Sequence, residues 1–249
     1  MSPSGSTAAS SPQPDLPVRG NRDTLRETLG AVRGRLVADI GCGDGTWTRF
    51  LTREGARVVG LDPNPAQMAR ARAADRAGDE TYMAAGAEAL PLADASRDIA
   101  LFFNSLHHVP PEAMATALTE AARVTRPGGL VVAFEPVARG SNYELNKPVD
   151  DEDEWRTLAW RRLHAAAEGG GLSLAREFEY ITLSRKTGFD AWRDWHAAIS
   201  LDRAASFAAD PEGLRAHFDR IVADRPRDAE GFPLLDQPMR VTVLRRLPG

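Results

Sequence analysis

The sequence predicts an α/β protein built on a doubly wound, mostly parallel sheet. Arg35 to Ile40 reads as a buried strand that runs straight into Gly41-Cys42-Gly43-Asp44-Gly45, after which Thr46 to Glu54 has helical character. Residues without a Cβ let the chain turn sharply and approach a ligand closely, and the first N–H groups of the helix point back at that turn. Ile99 to Phe103 is an uninterrupted apolar run, the pattern of a central parallel strand covered on both faces. Strand-like and helix-like segments then alternate as far as Pro136, the order that a doubly wound sheet requires. Strand, glycine turn and helix together form a ligand platform at the carboxyl end of a parallel strand.

Bulk properties narrow the function. A chain of 249 residues, 43% hydrophobic, holds one large core. The net charge of −4 and the mixing of acids with arginines lack the footprint of a nucleic-acid-binding surface. No segment reaches the roughly 18 apolar residues of a membrane span. The single cysteine, Cys42, rules out a disulfide within the chain and disfavours a cysteine-based metal site. Cys42 reads as a small residue filling the turn; as a nucleophile it would need a basic neighbour that the sequence does not place beside it. Residues 1–20 are rich in Ser, Pro and Ala. They lack the basic start and apolar centre of a secretory leader, so a disordered tail and a cytoplasmic location are expected.

The glycine turn discriminates between ligands. Dinucleotide folds use G-x-G-x-x-G and seat a pyrophosphate on the helix. Here the spacing is G-x-G-x-G, and Asp39 stands two residues before Gly41. A carboxylate there repels a pyrophosphate and attracts a cationic or amine-bearing ligand. On Asp39, Gly41, Gly43 and Gly45 the sequence resembles the class I S-adenosylmethionine-dependent methyltransferases, whose first motif is acid-x-G-x-G-x-G after the first strand. S-adenosylmethionine carries an ammonium, a sulfonium and a ribose, and no phosphate. The resemblance implies a Rossmann-like, doubly wound, seven-stranded, mostly parallel sheet with an antiparallel C-terminal strand and a helical insertion near the C-terminus. It divides a single domain, 21–249, into a cofactor-binding half at 35–137 and a substrate-side, sheet-closing half at 138–249.

The segments follow in order. Asn21 to Val32 has a helical pattern, with Leu25, Leu29 and Val32 on one side. Arg57 to Asp62 is a second short strand ending in an acid, 21 residues after Gly41, where such folds bind ribose hydroxyls. Pro63-Asn64-Pro65 opens the next helix. Met68 falls in its first turns; the resemblance implies packing on an adenine, an ordinary core contact being the alternative. Glu80 to Ala85 is a third strand, leading into Gly86-Ala87-Glu88-Ala89-Leu90-Pro91. That loop is similar to the adenine loop of the quinone C-methyltransferase-like subgroup, in which many members carry an Asp where this chain has Gly86. The Ala87 backbone is left to meet the ring, and Glu88 is either an adenine contact or a loop cap. Pro111 to Arg126 is helical, Pro127-Gly128-Gly129 stops it, and Leu130 to Glu135 is the fifth strand; helix, R-P-G-G and strand also fit the subgroup. The likeness spans Leu36 to Pro136.

The second half is less explicit. Gly140 to Pro148 reads as a loop. Five acids, Asp150 to Glu154, precede a helical run through Ala167; negative charge suits a helix start. Leu174 to Ser184 and Met239 to Leu247 alternate as strands, with helices at Phe189 to Ser200 and Pro211 to Ala223 between them.

Methyl transfer from a sulfonium needs orientation and exclusion of water more than activation. Asn104, after the fourth strand, is expected at the cofactor, and the resemblance places Asp39, Gly41, Cys42, Gly43, Gly45, Asp62, Pro63, Met68, Gly86, Ala87 and Glu88 there with it. His107 and His108 sit where donor and acceptor would meet and are candidate bases, or else a helix-start or core pair. A zinc site is not expected, since no third ligand has the spacing. Asn104-Ser105-Leu106-His107 is not the N/D-P-P-Y/F motif of enzymes that methylate nucleic-acid bases, so the expected substrate is a small molecule, with neither nucleic acid nor membrane as partner. Trp47, Phe134, Glu135, Tyr143, Trp155 and Trp160 are candidates for its pocket or for core. The competing readings are a binding protein that holds the cofactor without catalysis and an NAD-dependent oxidoreductase.

Overall fold

Five strands lie parallel in the computed structural model, which describes residues 16–248. They are β1 (Leu36–Ile40), β2 (Arg57–Asp62), β3 (Thr81–Ala84), β4 (Arg97–Phe103) and β5 (Thr125–Pro136). β7 (Leu234–Arg246) runs antiparallel between β5 and β6 (Leu172–Arg185). The seven-stranded sheet has the order β3-β2-β1-β4-β5-β7-β6. The expected doubly wound sheet with an antiparallel C-terminal strand is therefore the observed one.

Alternation along the strands separates two cores. Ala38, Ile40, Ala100 and Phe102 face one side, with α4 (Met114–Val124) and α6 (Asp153–Glu168). Val37, Ile99, Leu101 and Phe103 face the other, with α1 (Asn21–Leu29) and α2 (Thr46–Arg53). Side chains two apart share a face of a strand, so an apolar run such as β4 feeds both layers. α3 (Pro65–Ala73) starts on Asn64, whose side chain accepts from Ala66 N at 2.9 Å and Gln67 N at 3.2 Å, with Pro65 at the first helical position.

One clamp sets the loop after β3. Arg123 on α4 donates to Leu92 O at 2.8 Å and to Leu90 O at 3.0 Å, while Glu120 accepts from Leu90 N at 2.9 Å. Gly86 to Leu92 is thus fixed to a helix on the far side of the strand ends.

The structure departs from the sequence reading in three places. Where a loop was expected at 140–148, α5 (Ser141–Asn146) forms, because Asp236 accepts from the Ser141 hydroxyl and Tyr143 and Leu145 are buried. Between β6 and β7 the described residues hold α7 (Phe189–Ala197), α8 (Leu201–Ala209) and α9 (Pro211–Val222), not two helices. The unexpected α8 is capped by Ser200, which accepts from Arg203 N at 3.1 Å, and it buries Phe207 beside Trp192 and Phe218. The expected tail is also shorter at its inner end. Arg19 N donates to Ile181 O at 2.8 Å and Ile181 N to Pro17 O at 2.9 Å, so residues 17–19 lie along β6. Residues 1–15 lie outside the described residues.

Phe134 is fully buried and stacks on Phe103 with centroids 5.0 Å apart. Phe134→Ala is expected to cost about 3–5 kcal/mol of unfolding free energy, read as a lower denaturant midpoint; a loss below about 1 kcal/mol contradicts the packing described.

Candidate active site

The strand order reverses between β1 and β4, and a crevice opens there beyond the carboxyl ends. It holds a cavity of about 620 Å³. Gly41, with φ of 72°, lies so close to the turn after β4 that a Cβ on it would sit 2.5 Å from Ser105 Cβ. Ser105 in turn donates its hydroxyl to Ile40 O at 2.7 Å. The two strand ends are thus stitched across the crevice, and only glycine fits at position 41.

Asp62 ends β2 at the cavity wall. One of its oxygens accepts from Gly43 N at 2.9 Å and the other from Asn64 N at 2.8 Å. A carboxylate oxygen has room for a second donor, so each is left with one acceptor position for a hydroxyl of a sugar. Gly41, Gly43, Pro63, Gly86, Ala87 and Glu88 also line the cavity. A Cβ on Gly86 would collide with the carboxylate of Glu88; the acid missing from position 86 is replaced in space by one from position 88. Asn104 completes the wall. Its φ of 51° is a left-handed conformation that Asn tolerates better than most residues.

Four of the expected cofactor residues stand behind the cavity instead of on it. Asp39 is buried and accepts from the Thr48 hydroxyl at 2.6 Å, which ties β1 to α2. Burial pushes its carboxyl up to about 6, against the lowering effect of that hydrogen bond. Cys42 and Met68 pack together with Ala71 in a small core of their own; burial pushes the Cys42 thiol well up, which fits a filler and not a nucleophile. A Cβ on Gly45 would meet Tyr82 Oη at 2.5 Å, so that glycine serves the fold. Conversely, Asn64, Gln67 and Ser105 line the cavity without having been expected. The helix start at Pro65 was the signal for the first two, since it turns the residues beside it toward the strand end.

The histidine pair sits on a 3₁₀ turn, Leu106–His108. His107 is buried, with Nδ1 bonded to Glu135. Burial pulls its pKa down, but the charge of Glu135 and that hydrogen bond outweigh burial and raise it. The protein packed against the ring of His108 and the neighbouring His107 charge push His108 down to about 4, although its outer edge faces solvent. The two rings are thus shifted in opposite directions, His107 up and His108 down. His108 lines the crevice and also a neighbouring cavity of about 280 Å³ shared with His107, Trp155, Glu152 and Arg203. Of the pocket candidates, Trp155 lines that cavity, Trp160 and Glu135 line another beside α6, and Trp47 stacks on Phe103 in the core.

Glu152 supplies the third metal-type donor that the sequence spacing did not reveal, 44 residues after His108. Its oxygens stand 3.8 Å from His107 Nε2 and 3.8 Å from His108 Nδ1. Arg156 donates to it at 2.7 Å and Arg203 approaches to 3.9 Å. Two guanidinium groups, those of Arg156 and Arg203, thus face this carboxylate.

A crevice at the switch point of a parallel sheet, with an acid at the end of β2, has the place and lining that a nucleoside would fit. Residues 38–133 match the family described as "Methyltransferase domain". A malonyl-[acyl-carrier protein] O-methyltransferase of Pseudescherichia vulneris is 37% identical over 59% of this chain and 54% of its own length. A protein of Mycobacteroides abscessus named as an uncharacterized methyltransferase is 42% identical over 41% of this chain and 40% of its own length. The chain thus spans about half or less of these relatives. A solved structure from Bacillus halodurans described as a methyltransferase shares the fold with a TM-score of 0.61 at 16% identity, covering 92% of this chain and 99% of that one. Residues 38–133 thus carry the methyltransferase domain, on the fold of the solved structure, and S-adenosylmethionine is the cofactor of that family.

The buried carboxyl of Asp39 has a consequence for stability. Its folded pKa, about 6, lies above its ordinary value of 3.8. Its contribution is therefore fully present below pH 4 and is lost as pH rises through 6, by roughly 2–3 kcal/mol. Asp39→Asn is expected to flatten that part of the stability–pH curve between pH 4 and 7, measured by urea unfolding. An unchanged curve would contradict a buried, neutral-leaning carboxyl.

Proposed function

We propose that the protein transfers a methyl group from S-adenosylmethionine to a small-molecule acceptor. The observation that carries this reading is Asp62, with one acceptor position left on each oxygen beside a crevice of about 620 Å³. In this reading Asp62 holds the ribose hydroxyls, and Glu88, standing over Gly86, accepts from the adenine amino group. Gly41 gives the close approach to the chain. When bound, S-adenosylmethionine supplies a methyl already activated by its sulfonium. What the protein adds is orientation and exclusion of water.

Asn104 and Ser105 line the crevice, and His108, Val109 and Pro110 stand in the wall that it shares with the neighbouring cavity. His108, in the wall common to both cavities, is the group placed by position to take a proton from the acceptor. His107, locked on Glu135, positions it: the two rings stand 4.0 Å apart. The relative that acts on malonyl-[acyl-carrier protein] supports an acceptor outside nucleic acid. No helix among the described residues is long and apolar enough to cross a membrane, and the reading places the protein in the cytoplasm.

Asp62→Ala is expected to weaken S-adenosylhomocysteine binding by about 1–3 kcal/mol, the cost of losing a charged acceptor, and Glu88→Ala by a smaller amount within that range. Calorimetry on both variants checks this. Wild-type affinity in a folded Asp62→Ala protein sinks the reading.

A further inference from the structure

His107, His108 and Glu152 meet at the cavity of about 280 Å³ beside the crevice. One donor atom from each lies within 4.8 Å of the other two. His107 Nε2 and His108 Nδ1 each stand 3.8 Å from a Glu152 oxygen, too far for a hydrogen bond. The spacing suits a shared ion instead. Two ligands that are each about 2.0–2.2 Å from one metal stand roughly 3–4 Å apart. The third ligand that the sequence spacing lacked is thus Glu152, at the start of α6.

Two of the three ligands are held from behind. Glu135 bonds His107 Nδ1, so the neutral ring keeps its lone pair on Nε2, the nitrogen turned toward Glu152. A carboxylate behind the imidazole is the support that metal-ligating histidines have. Arg156 holds Glu152 by donating to Oε2 at 2.7 Å. Arg203 stands 3.9 Å from Oε1, the oxygen facing His108, and gives its hydrogen bond to Asp150 at 2.6 Å instead. The His108 side chain is largely exposed, so its ring is free to make the small shift that closes the set.

Charge and ligand type select the ion. Asp150, Asp151 and Glu152 line the cavity, with Arg203 as the guanidinium among them. Behind the ligands, Glu135 and Arg156 offset each other. The acids outnumber the guanidiniums, and the balance favours a cation. Two imidazoles and one carboxylate suit zinc, whereas magnesium and calcium take oxygen ligands. Three protein ligands also leave the fourth position of a tetrahedral ion open toward the cavity.

We infer that His107, His108 and Glu152 form a zinc-binding site in the wall between the crevice and its neighbouring cavity. Zinc takes the lone pair of His108 Nδ1, and Nε2 then carries the ring's proton. Zinc at this site and proton transfer by His108 are therefore mutually exclusive. That consequence rests on the methyl-transfer reading; the site itself does not.

Calorimetry of the full chain, stripped of metal and titrated with Zn²⁺ or Mg²⁺ alone, tests it. One equivalent of zinc is expected to bind, about a hundredfold more tightly than magnesium. His108→Ala and Glu152→Gln are each expected to weaken zinc about tenfold or more. Glu152 also holds Arg156, so a melting curve accompanies each variant; the exposed His108 keeps the test decisive if Glu152→Gln melts early. His217→Ala, which removes an exposed imidazole on α9, is expected to leave zinc binding unchanged. Absence of zinc binding overturns the inference, as does unchanged binding in a folded His108→Ala or its loss in His217→Ala. Magnesium binding as tight as zinc overturns ligation by imidazole. S-adenosylhomocysteine is titrated separately: zinc binding without it supports the site and overturns only the methyl-transfer reading.

Discussion

The buried carboxylate of Glu135 organises the reacting end of the crevice. It sits at the end of β5 and reaches across to the turn after β4, where it accepts from Ser105 N at 3.2 Å, Leu106 N at 2.9 Å and His107. A buried carboxylate is tolerated only when paired and hydrogen-bonded, and here one oxygen takes backbone donors while the other takes an imidazole. Burial alone would raise its pKa; the His107 charge and these hydrogen bonds reverse that and lower it. The consequences run outward. The turn is fixed, Ser105 is held against Gly41, and Asn104 is kept in its left-handed conformation at the cavity wall. Removing one partner from such a buried set leaves the others uncompensated, so the turn, the histidine pair and the approach of β1 to β4 form one cooperative unit.

A second constraint acts from the opposite wall. The loop from Gly86 to Leu92 has little structure of its own, yet Arg123 and Glu120 hold it by backbone atoms from α4. This arrangement places Ala87 and Glu88 against the cavity without a strand or helix at that point. Asp62 does the same for the glycine turn, which it grips at Gly43 N. In each case a side chain from one strand end or helix holds the main chain of another loop. The protein's own hydrogen bonds thus hold the walls of the crevice, which lowers the ordering cost of binding.

Much of this was legible in the sequence, for physical reasons that differ by residue. β1, β2 and β4 are apolar runs interrupted by turn-forming residues, and a strand buried on both faces leaves that signature. Asp62, Gly41, Gly43 and Gly86 to Glu88 follow strand ends directly, so chain order alone places them at the cavity. Asp39 was expected at the ligand because of its charge. Its side chain instead points to Thr48, since alternation along a strand decides the face that a residue takes, whatever its charge. Met68 went into a core of Cys42 and Ala71. Glu152 and Glu135 could not be foreseen as partners of His107, because long-range packing of α6 and β5 brings them there. α8 escaped notice because it is short and carries only Leu201 and Phe207 as large apolar side chains; the cluster with Trp192 and Phe218 stabilises it.

The central claim is that a nucleoside cofactor lies in the crevice between β1 and β4 with its sugar on Asp62. A crystal structure of the protein with S-adenosylhomocysteine tests it most directly. The account predicts both ribose hydroxyls within hydrogen-bonding distance of Asp62, the adenine beside Glu88, and the sulfur facing Asn104 and His108. Density for the ligand elsewhere, or a crevice that takes NAD in its place, would contradict it.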